Sequence, residues 1–82
     1  MDQNWYVYIL HCADGTLYTG ITNHLDRRLK AHNAGTASRY TRVRRPVEMV
    51  YYEEAETKGD ALRRELQIKA LSRSNKMKLI TK

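Results

Sequence analysis

A hairpin signal close to the N-terminus constrains the fold more than any other feature of this sequence. Residues 5–10 and 17–21 are rich in tyrosine, valine, isoleucine and leucine, and aromatic and β-branched residues favour strands. Asp14 and Gly15, between the two runs, form a pair that hairpin turns commonly use. Since such a turn brings its flanking strands together, the chain is expected to begin with two paired antiparallel strands.

The length of the hairpin loop decides which side chains share a face of the sheet. A two-residue Asp-Gly loop would place Tyr8 and Tyr18 on opposite faces, because side chains alternate along a strand. A three-residue loop with Gly15 in the left-handed conformation would place both tyrosines on one face, with Gly20 opposite Tyr8. The other face would then be apolar, with Val7, Ile9, Leu17 and Ile21.

A helix is predicted next, because Thr22 or Asn23 can cap its start and Gly35 can end it after about residue 33. Arg28 and His32 lie one turn apart on that helix, within the stripe that also carries its leucines. The helix is therefore expected to direct both side chains towards the sheet, whereas the arginine that precedes Arg28 points to solvent.

One more strand is predicted in the second half of the chain. Residues 36–45 are polar and basic and are expected to form a loop. The residue before Pro46 favours an extended backbone, so a strand is predicted over residues 47–53.

Two helices complete the predicted fold. Thr57 resembles the first residue of a capping box, and the helix that it opens is expected to cover residues 58–71. Ser72 or Ser74 can cap a short last helix. The order β-β-α-β-α-α predicts a single α/β domain of the α+β type over residues 1–82, with a small three-stranded antiparallel sheet flanked by helices.

Glu65 lies near the middle of the apolar arc of the helix predicted over residues 58–71. A carboxylate at such a position is costly without a partner. That partner could be a metal ion, or it could be Lys69, one turn further along the same helix.

The charge balance restricts the class of partner. Lys and Arg outnumber Asp and Glu by 15 to 9, and the net charge of +6 favours a polyanion such as nucleic acid. No apolar run approaches the roughly 20 residues of a membrane span, and the first four residues lack the basic and apolar segments of a signal peptide. The single cysteine, Cys12, can form no internal disulfide, so a cytoplasmic location is expected. We expect the protein to be a monomer.

The predicted loop over residues 36–45 mixes arginines with an aromatic residue. This composition suits contacts with phosphates and stacking on bases. A solvated basic loop without a ligand is the alternative. The predicted nucleic-acid-binding residues are Arg39, Tyr40, Arg42, Arg44 and Arg45.

The candidate site residues follow one another in a characteristic order. The segments Val7-Tyr8-Ile9 and Tyr18-Thr19-Gly20 precede Arg28, His32 and Glu65. This arrangement resembles the GIY-YIG nuclease family, which includes homing endonucleases and the first-incision domain of bacterial excision repair. The resemblance spans nearly the whole chain and is closest to the short stand-alone bacterial members, the YhbQ-like group. It implies a metal-dependent DNA endonuclease that acts in DNA repair or recombination and leaves 5′-phosphate and 3′-hydroxyl ends.

The resemblance also implies a role for each residue of the candidate catalytic site. The tyrosine that matches Tyr18 is the general base in the family, and the one that matches Tyr8 positions the water or the base. The arginine that matches Arg28 clamps the phosphate. The glutamate that matches Glu65 holds one divalent ion, Mg²⁺ or Mn²⁺.

The residues themselves leave the identity of the base open. The pKa of a tyrosine is near 10, so Tyr18 needs a decrease of about three pH units to act as a base near pH 7. The cations that could lower it are Arg28, the metal ion and a protonated His32. Alternatively His32, with an ordinary pKa near 6.5, takes the proton from water or relays it through Tyr18.

Each of these residues also has a less specific role that is common in proteins. Strand tyrosines, a helix arginine near the surface, a histidine at a helix end and a glutamate paired with a lysine are all ordinary structural features. A nucleic-acid-binding module with weak or partner-dependent catalysis is therefore the alternative to a nuclease. A protein-interaction domain is the third possibility.

Overall fold

The computed structural model describes residues 4–81, in which three strands form one antiparallel sheet. The strands are β1 (Trp5–His11), β2 (Leu17–Thr22) and β3 (Glu48–Ala55), and β1 lies in the centre of the sheet in the order β2-β1-β3. The helices are α1 (Leu25–Ala34), α2 (Arg39–Arg42), α3 (Lys58–Lys69) and α4 (Arg73–Ile80). The α+β fold with a three-stranded antiparallel sheet is confirmed, and one short helix, α2, adds to the predicted order.

The hairpin between β1 and β2 has the three-residue loop. The backbone N–H of Cys12 donates to the carbonyl oxygen of Thr16 over 2.9 Å, which closes the loop around the three residues between them. Gly15 has a φ of 87°, the left-handed conformation that glycine adopts without strain. Tyr8 therefore faces Gly20 across the pair of strands, and both site tyrosines lie on one face of the sheet, as predicted.

Both faces of the sheet are covered by helices. On one face Val7 and Ile9 of β1 pack with Ala61 and Ile68 of α3, and α4 adds two further apolar residues. This is the face that the sequence predicted to be apolar. The opposite face carries Tyr8, and the two leucines of α1 pack against it. The site tyrosines are therefore enclosed between the sheet and α1.

The start of α1 differs from the prediction. His24 caps this helix, and its Nδ1 accepts the backbone N–H of Arg27 over 3.2 Å. Thr22 belongs to β2, where its hydroxyl oxygen accepts the backbone N–H of His24 over 3.0 Å, so it stabilises the turn before the helix. Gly35 ends α1 in the left-handed conformation, as predicted, with a φ of 83°.

The prediction of a loop throughout residues 36–45 was wrong, because α2 lies inside this segment. The side-chain oxygen of Ser38 accepts the backbone N–H of Thr41 over 3.1 Å and so caps the single helical turn. Thr41 is fully buried at 0% exposure, so the turn is held from within by a polar side chain and not by an apolar stripe.

The remaining elements differ from the predictions only at their ends. Strand β3 continues two residues beyond residue 53, and α3 ends two residues before residue 71. Thr57 caps α3 and Ser72 caps α4, each by accepting a backbone N–H three residues further on. Within residues 4–81, no helix is long and apolar enough to cross a membrane.

Candidate active site

A cavity of about 270 Å³ opens beside the hairpin, between β1, β2, α1 and α3. Two strands contribute the tyrosines, α1 contributes an arginine and a histidine, and α3 contributes a glutamate. The fold thus brings together all five residues that the sequence predicted for a catalytic site. The residues that line the cavity are Tyr8, Tyr18, Gly20, Ile21, Arg28, His32, Ala37, Leu62 and Glu65.

Tyr8 is almost fully buried at the floor of this cavity, with 2% of its surface exposed. Its hydroxyl lies 2.7 Å from Nε2 of His32. Burial, and next the neighbouring Tyr18, raise the pKa of Tyr8 well above its ordinary value, and Arg28 offsets only part of this effect. Tyr8 is therefore a neutral phenol near pH 7.

Gly20 leaves the space that the Tyr8 ring occupies. A Cβ atom at Gly20 would lie 2.6 Å from the hydroxyl oxygen of Tyr8, closer than side chains tolerate. The glycine in the segment Tyr18-Thr19-Gly20 thus has a packing role that follows from the strand register, in which it stands opposite Tyr8.

His32 is buried in the middle of a chain of polar contacts, with 1% of its surface exposed. Its Nε2 contacts the Tyr8 hydroxyl, and its Nδ1 lies 2.7 Å from the hydroxyl oxygen of Thr41. Burial, and next the positive charge of Arg28, lower the pKa of His32 from 6.5 to about 4. The imidazole is therefore neutral near pH 7.

The neutral state of His32 bears on both of the predicted routes for the proton. A neutral imidazole supplies no positive charge that would lower the pKa of Tyr18. Both of its ring nitrogens are also engaged, so His32 does not face water directly. Its contact with Tyr18 is an edge-to-face contact between the two rings, whose centroids lie 5.3 Å apart. A proton relay from His32 would therefore run through Tyr8 and not through Tyr18.

Arg28 lines the cavity from α1, as the helical spacing predicted. The preceding arginine, Arg27, is exposed to solvent. Arg28 lies close enough to act on both members of the buried pair: its charge contributes to the lowered pKa of His32 and offsets part of the increase in the pKa of Tyr8. The cavity therefore contains a permanent positive charge next to two neutral polar groups.

Glu65 is the acidic residue that lines the cavity, and its side chain is 15% exposed. One of its oxygens lies 3.4 Å from Nζ of Lys69, so the pair along one turn of helix that the sequence suggested is formed. Residues 4–81 contain no group of three or more His, Cys, Asp or Glu side chains arranged to hold a metal ion. A divalent ion here would have Glu65 as its protein ligand and would take its other oxygens from water and substrate, which suits Mg²⁺.

Tyr18 packs in a stack that extends away from the cavity. Its ring lies 5.7 Å from that of Tyr40 at an angle of 28°, and the guanidinium carbon of Arg44 lies 3.8 Å from the Tyr40 ring centroid. Arg44 also forms an ion pair with Asp14 in the hairpin loop, over 2.9 Å. Tyr40 and Arg44 are thus engaged within the protein, and they hold Tyr18 in place.

The predicted nucleic-acid-binding residues fall into two groups. Arg45 donates to the backbone oxygens of Arg42 and Asn33, over 2.9 and 3.2 Å, and so joins the ends of α2 and α1. Arg45 and Arg44 therefore have structural contacts. Arg39 and Arg42 have exposed side chains on α2, so they can reach a ligand without rearrangement.

The sequence analysis did not single out Thr41, although its hydroxyl contacts His32 directly. Little in the sequence indicated this contact, because a threonine in a polar segment is usually exposed. Ser38, three residues earlier, is the usual kind of residue for a helix cap, and it could have indicated the helical turn that buries Thr41.

We expect Gly20→Ala to lower the stability of the protein. The added methyl group would displace the Tyr8 ring, which is buried and bonded to His32. Overpacking of this kind costs about 1–3 kcal/mol, which urea denaturation can measure.

Gly59→Ala is the matched control for this prediction. A Cβ at Gly59 in α3 would lie 3.8 Å from the nearest side-chain atoms, those of Thr57 and Arg63, and alanine favours a helix over glycine by roughly 0.5–1 kcal/mol. A Gly20→Ala variant as stable as the wild type would contradict the close packing of Tyr8 against β2.

Comparison with known proteins places the chain among similar small proteins. The family model of the GIY-YIG catalytic domain matches residues 4–78. The UPF0213 protein SSP2268 of Staphylococcus saprophyticus is 48% identical over 81 residues, which cover 99% of this chain and 98% of the relative.

Two solution NMR structures are also similar. One is the UPF0213 protein BH0048 of Bacillus halodurans, with 45% identity, coverage of 95% of this chain and 83% of that chain, and a TM-score of 0.61. The other is the protein EF2693 of E. faecalis, with 38% identity, coverage of 99% and 88%, and a TM-score of 0.64. Because the family model matches nearly all of the described residues, this chain belongs to the GIY-YIG family.

Proposed function

We propose that this protein is a metal-dependent DNA endonuclease. It hydrolyses phosphodiester bonds by direct attack of water and leaves 5′-phosphate and 3′-hydroxyl ends, in DNA repair or recombination. The observation that supports this proposal is the single cavity that collects Tyr8, Tyr18, Arg28, His32 and Glu65 in a chain of the GIY-YIG family.

Arg28 binds the scissile phosphate in this proposal. A guanidinium offers planar, paired donors that match two phosphate oxygens, and it keeps its charge at every pH of interest. Arg28 lines the same cavity as both tyrosines, so a phosphate bound to it would share that cavity with them. The charge of the phosphate is then partly neutralised where water attacks.

Glu65 of α3 holds the divalent ion in this proposal. Lewis-acid stabilisation of the leaving 3′ oxygen is the chemistry that such an ion supplies when bound. Lys69 competes for the same carboxylate, but its side chain is half exposed, so it can move into solvent at little cost.

Tyr18 is the proposed general base, because its side chain lines the same cavity as Arg28. The Tyr8 and His32 pair offers a second route to the same proton transfer. In that route the Tyr8 oxygen takes a proton from water while its own proton passes to Nε2 of His32. The two routes make different predictions for removal of the Tyr18 hydroxyl.

The test is incubation of the protein with labelled linear duplex, single-stranded and branched DNA, in Mg²⁺, Mn²⁺ or EDTA. We expect cleavage with either ion and none in EDTA. We also expect ends that DNA ligase can rejoin, since ligase requires a 5′-phosphate and a 3′-hydroxyl. Binding without cleavage of any substrate would refute the proposal.

A DNA-binding module is the second candidate function. The net charge of +6 and the two exposed arginines of α2 favour it, and neither feature requires catalysis. If the protein binds DNA without cleaving it, the pair of Glu65 with Lys69 is a structural contact only.

We expect the double variant Arg39→Ala and Arg42→Ala to bind DNA more weakly and with a flatter salt dependence. Each phosphate contact that is lost lowers the slope of log affinity against log salt by about 0.9 for duplex DNA. Binding titrations at several salt concentrations measure this slope. Arg44 and Arg45 are left unchanged, because their loss would disturb the contacts that hold Tyr40 and the helix ends.

Arg73→Ala provides the control for the loss of positive charge. Arg73 is exposed at the start of α4, and α4 packs against the other face of the sheet from the cavity. An unchanged slope in the double variant, or an equal change in Arg73→Ala, would show that α2 is not the surface that binds DNA.

A further inference from the structure

We propose that Thr41, held by Ser38, is a positioning residue that keeps the proton of His32 on Nδ1 and so leaves Nε2 to accept the Tyr8 hydroxyl. The link to catalysis rests on the proposed nuclease function, whereas the position of the proton can be tested without it.

The contacts form a continuous chain from the cavity to α2. The Tyr8 hydroxyl lies 2.7 Å from Nε2 of His32, and Nδ1 of His32 lies 2.7 Å from Oγ1 of Thr41. Oγ1 of Thr41 lies 3.0 Å from Oγ of Ser38. Tyr8, His32 and Thr41 are each buried, so water does not compete for these contacts.

The number of hydrogens that these side chains share favours one arrangement of donors and acceptors. A buried hydroxyl needs an acceptor for its hydrogen, and Nε2 of His32 is positioned to accept that of Tyr8. A neutral imidazole then carries its single proton on Nδ1, which donates to Oγ1 of Thr41. Thr41 in turn donates to Ser38, at the surface end of the chain. The donors of Tyr8, His32 and Thr41, the three buried residues of this arrangement, then each have an acceptor inside the protein.

The opposite arrangement requires an acceptor outside the chain of contacts. If Thr41 donated to Nδ1, then Nε2 would donate to the Tyr8 oxygen. The proton of Tyr8 would have to find a partner in the cavity. Ser38 Oγ already accepts the backbone N–H of Thr41, so it is well placed to accept the Thr41 hydroxyl as well.

The position of the proton decides what Tyr8 presents to the cavity. With Nε2 as the acceptor, the Tyr8 oxygen turns its lone pairs towards the cavity, where it can accept a hydrogen bond from water. With Nε2 as the donor, Tyr8 would direct its own hydrogen into the cavity and would donate it to that water instead of accepting. Thr41 thus controls the orientation of a group that it does not touch.

The first arm of the test is an NMR correlation of the His32 ring protons with its ring nitrogens in isotope-labelled protein. We expect the wild type to carry the proton on Nδ1. Thr41→Val removes the acceptor with little change in shape, so the proton should move to Nε2 in all or part of the molecules. Thr41→Ser should restore the wild-type spectrum. The exposed rings of His11 and His24 serve as internal references.

The second arm measures DNA cleavage by the same variants. Loss of the group that orients a metal-bound histidine typically lowers activity by about 10- to 100-fold, and we expect a comparable decrease for Thr41→Val and near wild-type activity for Thr41→Ser. Thr19→Val is the matched control, because Thr19 is also buried but stands opposite Ile9, on the other face of the sheet.

A wild-type proton on Nε2, or an unchanged His32 spectrum in Thr41→Val, would overturn the assignment. A shifted spectrum with wild-type cleavage would overturn the positioning role. Absence of cleavage by the wild type would instead refute the nuclease function, and the spectra alone would still decide where the proton lies.

Discussion

Glu65→Gln should abolish DNA cleavage at ordinary Mg²⁺ concentrations while it leaves the fold and the affinity for DNA nearly unchanged. A neutral amide is a poor ligand for Mg²⁺, which prefers carboxylate oxygens. Glu65 lines the cavity, and residues 4–81 contain no acidic cluster that could replace it. Cleavage rates with enzyme in excess over labelled DNA measure the effect without interference from product release.

Two measurements separate this role from that of a structural ion pair. The pair of Glu65 with Lys69 is partly exposed, and such pairs contribute about 0.3–0.5 kcal/mol, so the variant should unfold at nearly the wild-type urea concentration. Glu56→Gln is the control, because Glu56 is exposed beyond the end of β3. Full activity of Glu65→Gln, or wild-type cleavage that persists in EDTA, would remove Glu65 from the metal site.

Tyr18→Phe should lower the cleavage rate by about 10²- to 10⁴-fold, the usual effect of losing a general base. The substitution removes the hydroxyl group and retains the ring, so the stack with Tyr40 and the contact with His32 should persist. Stability and affinity for DNA are therefore expected to change little. Single-turnover cleavage at saturating DNA concentration isolates the chemical step.

Tyr52→Phe is the control for the loss of a hydroxyl, since Tyr52 is an exposed tyrosine on β3. Cleavage by Tyr18→Phe within about threefold of the wild type would exclude Tyr18 as the base, because a general base contributes far more. The pair of Tyr8 and His32 would then be the remaining route for the proton.

The residues that line the cavity between the hairpin, α1 and α3 could be predicted from the sequence because the geometry of this cavity follows largely from local rules. The hairpin loop fixes the register, and the register places Tyr8 opposite Gly20 on the same face as Tyr18. The helical period then selects Arg28 and His32 from the residues of α1. These rules depend only on neighbours along the chain, so they could be applied without a structure.

The contacts made by residues 36–45 could not be predicted in the same way. A single turn of helix is too short to show a period, and α2 depends on Ser38 and on the burial of Thr41 against His32. Arg44 and Arg45 likewise have partners that are distant in sequence or belong to the backbone. Their composition indicated a basic loop, but only the fold shows which of these arginines have partners within the protein.

The charge state of His32 also required the fold. Its ordinary pKa of 6.5 suggested a group that changes charge near neutral pH. Burial and the nearby Arg28 lower that pKa to about 4, and neither effect can be read from the spacing of residues along α1. The choice between a protonated and a neutral imidazole is therefore a result of tertiary packing.

We propose above that the cavity between the hairpin, α1 and α3 hydrolyses DNA with the help of a divalent ion. The most direct measurement compares single-turnover cleavage of one labelled DNA by the wild type, Glu65→Gln and Tyr18→Phe, after all three are shown to bind it equally. We expect the wild type to cleave in Mg²⁺ and not in EDTA, and both variants to bind without appreciable cleavage. Cleavage by both variants at the wild-type rate would contradict the claim.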